Sequence, residues 1–195
     1  MKYYLIDSSA IIYHFIPSEY PRKTSKIDCL IREKQEGKAF LFMTNFCIAE
    51  VFNAFAKYRF RYTDHRNITQ KEYEKCREEF KDAIHNAKLI YHYELNRYHI
   101  LNADYIVPFE HQYYLIRKRK GEEKQWFLST FDILFISAGI ELVRMLGFGN
   151  LHLITDEVRI MRICEILGKL SPQTRKDFKI PSYIIYPQAK HISSI

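Results

Sequence analysis

Glycine is scarce in this chain, with six residues in 195, and none follows the first apolar segment. A P-loop or a Rossmann nucleotide site needs a glycine-rich turn at that place, so both classes fall. No apolar run approaches the ~18 residues that a membrane span requires. The opening MKYYLID lacks signal-peptide anatomy, because an acid already stands at position 7; a cytoplasmic protein with no membrane partner is expected. Four cysteines (Cys29, Cys47, Cys76, Cys164) are scattered without a CxxC pair, and the histidines do not cluster. That removes a zinc site or a disulfide framework and suits a reducing compartment. Repeats, low-complexity tracts and long linkers are also missing, so residues 1–195 read as a single domain. Acids are the minority charge: 23 Asp and Glu against 30 Lys and Arg leave a formal +7 and a pI near 9.1. This balance favours a polyanionic partner, although proteins that bind none often share it.

Tyr3 to Ile6 read as a buried strand bounded by Asp7, with Ser8 and Ser9 placed to cap a helix that runs to Pro17. A second helix is expected from Thr24 or Ser25, with Asp28 as capping-box partner, to Gly37. Ala39 to Met43 is an uninterrupted apolar pentad and a good central strand. In TNFCIAEVFNAFAKY, Ile48, Val51, Phe52, Phe55 and Tyr58 recur at helical spacing and predict an amphipathic helix facing the sheet. Glu50 lies off that stripe, on the line of Asn53, Ala54 and Lys57, and its plain reading is a solvated residue. Thr69 and Glu72 form a capping-box pattern before a helix carrying Tyr73, Cys76, Phe80, Ala83, Ile84 and Ala87 on one face. A third strand is expected over Leu89 to Tyr93, then helical material from about Arg97 to Lys118, broken near Pro108.

Ser129 to Glu157 holds a helix with Asp132 in its first turn, capped by Ser129 or Thr130 and ended by Gly147 and Gly149. A short apolar strand, LHLIT, follows and ends on Asp156. Ile160, Ile163, Ile166 and Leu167 mark another helix closed by Gly168, and SYIIYP, after the loop SPQTRKDFKIP, reads as the last strand. This alternation predicts an α/β fold, a three-layer sandwich on a mainly parallel sheet, with a helical elaboration over roughly residues 58–126.

Asp7 and Asp156 stand at strand ends, and Glu50 and Asp132 in early helical turns, which in a parallel α/β unit is one edge of the sheet. Each has a bland account as well: Asp132 can complete a capping box with Ser129, and Asp156 can cap the next helix. Four carboxylates gathered at one edge repel unless a cation neutralises them, and the donor type selects Mg²⁺ or Mn²⁺. In KYRFRYTDHR, Lys57, Arg59, Arg61 and Arg66 alternate with Tyr58, Phe60 and Tyr62, a pattern that suits phosphate contacts with base stacking. A snorkelling helix end gives the same pattern. RKRKGEEK, residues 117–124, reads as a solvated turn.

YLIDSSAII with Asp7, TNFCIAEVFNAFAK with Glu50, LSTFDILFISAGIEL with Asp132 and LITDEVRI with Thr155 and Asp156 together resemble the PIN-domain ribonucleases. Within them the chain is most similar to the VapC-type toxins of toxin–antitoxin pairs, with extra length mainly between Tyr58 and Trp126. The resemblance implies an endoribonuclease whose Mg²⁺ or Mn²⁺ is held by Asp7, Glu50, Asp132 and Asp156, with Glu157 as a candidate auxiliary ligand. It further implies Ser8, Ser9 and Thr155 orienting those ligands, RNA as substrate, and an antitoxin protein or a second copy as candidate partners; Lys57, Arg59 and Arg61 are the RNA contacts that the cation–aromatic pattern offers. Two rival readings stand beside this one. Phosphatases of the haloacid-dehalogenase type want a second acid two residues after the first, where this chain has Ser9. A catalytically silent PIN fold that binds RNA or protein is the stronger alternative, although such a copy has no chemical reason to keep the four acids.

Overall fold

The structure is a computed structural model describing residues 1–16, 20–60, 67–117 and 127–195, with only the backbone considered for 113–117. The break expected at Pro17, the segment Arg61 to Arg66 and the charged run 118–124 lie outside the described residues. In chain order the elements are β1 (Lys2–Ile6), α1 (Ser8–Phe15), α2 (Pro21–Gln35), β2 (Ala39–Thr44), α3 (Asn45–Phe60), α4 (Gln70–Ile84) and β3 (Tyr91–Tyr93). Then follow α5 (Arg97–Asn102), α6 (Val107–Arg117), α7 (Thr130–Leu146), β4 (Leu151–Thr155), α8 (Val158–Gly168), α9 (Pro172–Asp177) and β5 (Gln188–His191). The sheet order is β3-β2-β1-β4-β5. Lys2 to Leu5 run parallel to Ala39 to Phe42, and Phe42 to Thr44 run parallel to Tyr91 to Tyr93. The fold class is therefore α/β on a mainly parallel sheet, and α4, α5 and α6 supply helical material between the second and third acidic motifs.

Two compact units emerge: Met1–Glu94 with Ile154–Asp156 and Lys190–Ile195, and Leu95–Leu153 with Glu157–Ala189. In the first, Leu5, Leu41 and Met43 of the strands are fully buried, and a phenylalanine cluster fills the space among the helices. Phe80 meets Phe15 and Phe52 edge-on, each at 5.2 Å between ring centroids, and Phe55 at 5.8 Å. Edge-to-face pairs of this kind add to burial by aiming a positive ring edge at a negative ring face. The Thr69–Glu72 capping box forms as its sequence predicts, and Cys76, Phe80 and Ala83 are the buried stripe of α4.

In the second unit, α7 is buried without interruption from Phe135 to Val143, as expected of a central helix apolar nearly all round. Gly139 lets neighbours approach closely: a Cβ there would lie 2.8 Å from Leu153 Cδ2 and 2.9 Å from Pro187 Cγ. Gly147 ends α7 with φ of 88°, a conformation that costs glycine least.

Several local expectations are corrected. α2 starts at Pro21, not Thr24, because proline at the first helical position has its fixed φ in place and gives up an amide the helix does not need. Asp28 forms no capping box; its Oδ1 lies 2.7 Å from His14 Nδ1. The break expected near Pro108, by contrast, is present: α5 ends at Asn102, and α6 starts at Val107 with Pro108 in its first turn. The segment 171–177 is not all loop, since Ser171 caps α9 by accepting from the Thr174 amide. SYIIYP is not a strand, and β5 lies just beyond it. Its Ile184 and Tyr186 are buried while Tyr183 and Ile185 are exposed, so the alternation is genuine. The Arg175 guanidinium, however, donates to its Ile184 carbonyl at 2.6 Å and to that of Pro181, just before it, at 3.0 Å.

Phe80→Ala removes a fully buried ring that touches three others. It should cost about 3–5 kcal/mol, read as a lower urea midpoint with an unchanged slope.

Candidate functional site

Asp7 follows β1 and is the N-cap residue of α1, with φ of −77° and ψ of 155°. Its side chain makes no capping bond, and neither Ser8 nor Ser9 caps the helix as their position suggests. The hydroxyls turn to carboxylates instead. Asp7, 7% exposed, accepts at Oδ2 from Ser9 Oγ at 2.5 Å and Thr155 Oγ1 at 2.9 Å. Its Oδ1 faces Ser8 Oγ at 3.3 Å and the Cys47 thiol at 3.8 Å. Ser8 Oγ also donates to Glu50 Oε2 at 2.9 Å, so a single hydroxyl proton is shared by two acids. Glu50 is thus not simply a solvated residue on the polar side of α3. It is half-buried, and the ligand atoms of Asp7, Cys47 and Glu50 all lie within 4.8 Å of one another.

Burial first, and then the Asp7 charge, push the Cys47 thiol well above its usual range, so it stays protonated and is a poor ligand. What remains is two carboxylates ringed by hydroxyls, a donor set for a hard divalent cation such as Mg²⁺ or Mn²⁺. Two like charges at this separation oppose each other by about 3 kcal/mol at an effective dielectric of ~20, a repulsion that a divalent cation between them would relieve. The residues therefore fit an ion.

Asp156 follows β4 and is tied to the same place through Ser9, whose Oγ accepts from its amide at 3.1 Å. Its carboxylate has other company. Oδ2 accepts from Tyr13 Oη and from Lys23 Nζ, both at 2.6 Å, and Oδ1 lies 3.1 Å from His191 Nε2. Burial, and then the bond to Asp156, raise the Tyr13 phenol beyond its ordinary range. Asp156 does not cap α8, whose N-cap residue is Glu157 without a side-chain capping bond. Tyr13, Lys23, Cys47 and His191 were not legible as site residues. Lys23 falls in what reads as loop, and His191 in a strand with no apolar pattern.

Asp132 and Glu157 belong to the second unit. Asp132 completes the capping box: Ser129 Oγ accepts from its amide at 3.1 Å, and its Oδ2 accepts from the Ser129 amide at 2.8 Å. Glu157 pairs with Arg159 at 3.4 Å. Glu110 is an acid that sequence reasoning passed over. It is 4% exposed, its Oε1 accepts from the Leu128 amide at 2.7 Å, and among the described residues Oε2 has no hydrogen-bond partner. Burial raises its carboxyl above the usual range, and the Asp132 charge adds to this. A raised folded value means stability that is present in acid and lost as pH rises through that value. Glu110→Gln should therefore gain on wild type as pH goes from 4 to 7.5, checked by melting both proteins at each pH.

At the end of α3, Lys57 is exposed, and Arg59 donates to Gln70 Oε1 at 3.2 Å with its guanidinium 5.4 Å from the Phe60 ring centroid. Arg61, the third expected RNA contact, lies outside the described residues.

No protein-family model matches the sequence, and no curated protein matches it. Among solved structures, the chain is similar to a chain of VapBC2 from Rickettsia felis, crystallised bound to a DNA fragment from their promoter. The TM-score is 0.54 at 10% identity, over 97% of this chain and 98% of that one. The likeness is one of fold. It agrees with the α/β sandwich on a mainly parallel sheet expected from the helix–strand alternation.

Mn²⁺ in the millimolar range should raise the melting temperature of wild type, with a gain of about 2.7 kcal/mol at a hundredfold excess over Kd. Asp7→Asn, compared with its own melt in chelator, should lose most of that gain. Equal shifts in the two proteins would remove Asp7 from the ligand set.

Proposed function

We propose that this chain is a metal-dependent endoribonuclease of the PIN type that hydrolyses RNA phosphodiester bonds. The observation that carries the reading is the convergence of Asp7 and Glu50 beside the end of β1, sharing the Ser8 hydroxyl. The fold held in common with a chain of VapBC2 supports it, as does the formal charge of +7. In this reading residues 1–195 form a single PIN-like domain with a helical elaboration near 58–126, acting in the cytoplasm. No described helix is long and apolar enough to cross a membrane. The VapBC2 likeness also favours a toxin whose partner is an antitoxin protein, and self-association as a homodimer belongs to the same proposal.

Asp7 and Glu50 would hold Mg²⁺ or Mn²⁺, with Asp132, Asp156 and Glu157 as the remaining acids of the proposed set. A bound divalent ion lowers the pKa of a ligated water and neutralises charge that builds on the phosphate. The chain's own part is orientation. Ser9 and Thr155 both donate to Asp7 Oδ2, which fixes the rotation of that carboxylate and aims Oδ1 toward Ser8. Ser8 then sets the spacing to Glu50. Lys57 and Arg59, with Arg61, would hold the RNA backbone, the nearby aromatic rings offering stacking surface.

One observation favours the silent binding module instead: the carboxylate of Asp156 is held by Lys23 and Tyr13. The two readings part in a cleavage assay on structured and single-stranded RNA, with Mg²⁺, Mn²⁺ or chelator. Wild type should cut only with metal. Asp7→Asn and Glu50→Gln should each lose about a hundredfold or more, a barrier increase of about 2.7 kcal/mol. Cleavage by Asp7→Asn at the wild-type rate would sink the nuclease.

A further inference from the structure

Tyr20 immediately precedes Pro21, and its backbone, with φ of −132° and ψ of 65°, lies outside the helical region, as the following proline ring favours. Lys23 then falls in the first turn of α2, which holds no acid. A cation at that end opposes the helix dipole, so Lys23 is not placed to stabilise its own helix. Its partners lie elsewhere. Nζ donates to Asp156 Oδ2 at 2.6 Å and to Tyr13 Oη at 3.1 Å. The ammonium also lies 4.9 Å from the Tyr13 ring centroid and 5.0 Å from that of Tyr20, and the two rings meet edge-on at 5.4 Å. Cation–π attraction to both rings fixes the ammonium and the rings together.

These bonds leave donor capacity. An ammonium carries three protons, and among the described residues Lys23 has two hydrogen-bond acceptors. Its side chain is 25% exposed, and Tyr20 is 36% exposed. A fixed cation that still reaches water therefore stands beside an aromatic ring that does so too. Single-stranded nucleic acid is held by that pair of groups, its phosphates by cations and its bases by ring faces. Groups already fixed lose little freedom when a ligand arrives. The cluster belongs to the same compact unit as Asp7 and Glu50. Ser9 joins the two, since its Oγ donates to Asp7 Oδ2 at 2.5 Å and accepts from the Asp156 amide at 3.1 Å.

We propose that Lys23 and Tyr20 form a nucleotide subsite beside the acids: Lys23 donates its third N–H to an RNA phosphate flanking the cleaved bond, and the base of that nucleotide stacks on Tyr20. Tyr13 is a positioning residue, since it holds Lys23 by its hydroxyl and its ring. The inference rests on the nuclease reading and deepens it, because it places one nucleotide of the substrate and states what the subsite selects. Stacking on a ring face reads no base edge, so the subsite tolerates any sequence. It requires an unpaired base, so it selects single strands over duplex.

The test is binding of a fluorescently labelled single-stranded RNA to the full chain, read by anisotropy over a salt series in chelator, where nothing is cut. Melting curves confirm that each variant folds. Y20A should bind about fivefold more weakly or worse with an unchanged salt slope, whereas Y20F, which keeps the ring, should bind as wild type does. On duplex RNA, Y20A and wild type should bind equally. K23M/D156N is compared with D156N, so that the two differ only at position 23 and neither leaves a carboxylate facing an empty place. The double variant should show a log–log salt slope shallower by about 0.7, the loss of one phosphate contact on a single strand. Equal slopes in D156N and K23M/D156N, or wild-type affinity in Y20A, would overturn the subsite while RNA binding stands. A wild-type chain that binds no RNA either in chelator or with Ca²⁺ would overturn the nuclease reading as well.

Discussion

A carboxylate that is 7% exposed must be solvated by the protein around it, and Asp7 sets that demand at the end of β1. Three hydroxyls and a thiol meet it, drawn from α1, the end of β4 and α3. The Asp7 amide donates to the Ile154 carbonyl at 2.9 Å, so the same residue also joins the segment after β1 to β4. Small polar residues clustered next to an acid are usually read as helix caps. Here they serve as the solvent of a buried charge, and the helix goes without a side-chain cap.

Hydroxyls solvate a carboxylate without carrying charge, whereas an ammonium also neutralises it. Asp156 is matched by an ammonium within hydrogen-bonding distance, a compensated ion pair whose local charge is already balanced. Asp7 and Glu50 share a neutral donor, the Ser8 hydroxyl. Cys47, held protonated by burial, adds polarity without adding charge.

Most of the fold was legible because most elements have an unambiguous period. The pentad at Ala39, the α3 stripe through Val51 and Phe55, the Thr69 capping box and the apolar run of α7 each point to one structure. The failures are places where a local pattern had to compete with a distant partner. SYIIYP has the alternation of a strand, but Pro181 precedes it, Pro187 ends it, and Arg175 takes its Ile184 carbonyl. Gln188 to His191 has no such pattern and is nevertheless β5. At the site, Asp7, Asp156 and their neighbouring hydroxyl residues were visible because strand ends in α/β sheets are where chemistry collects. The role of Glu50 was invisible from its own helix, since the residue that gives it meaning, Ser8, is 42 positions earlier. Lys23 and His191 were hidden for the same reason, each being defined by a carboxylate more than thirty residues away.

The two outermost strands of the sheet are its shortest, three residues in β3 and four in β5. A partner that binds by laying a strand along an edge depends on a long row of main-chain donors and acceptors. Neither border offers one, and β5 also carries Lys190, a residue type that discourages edge-to-edge pairing. Recognition of this molecule by another protein must therefore be written in side chains, on helix and loop surfaces, where single substitutions can retune it without disturbing the sheet.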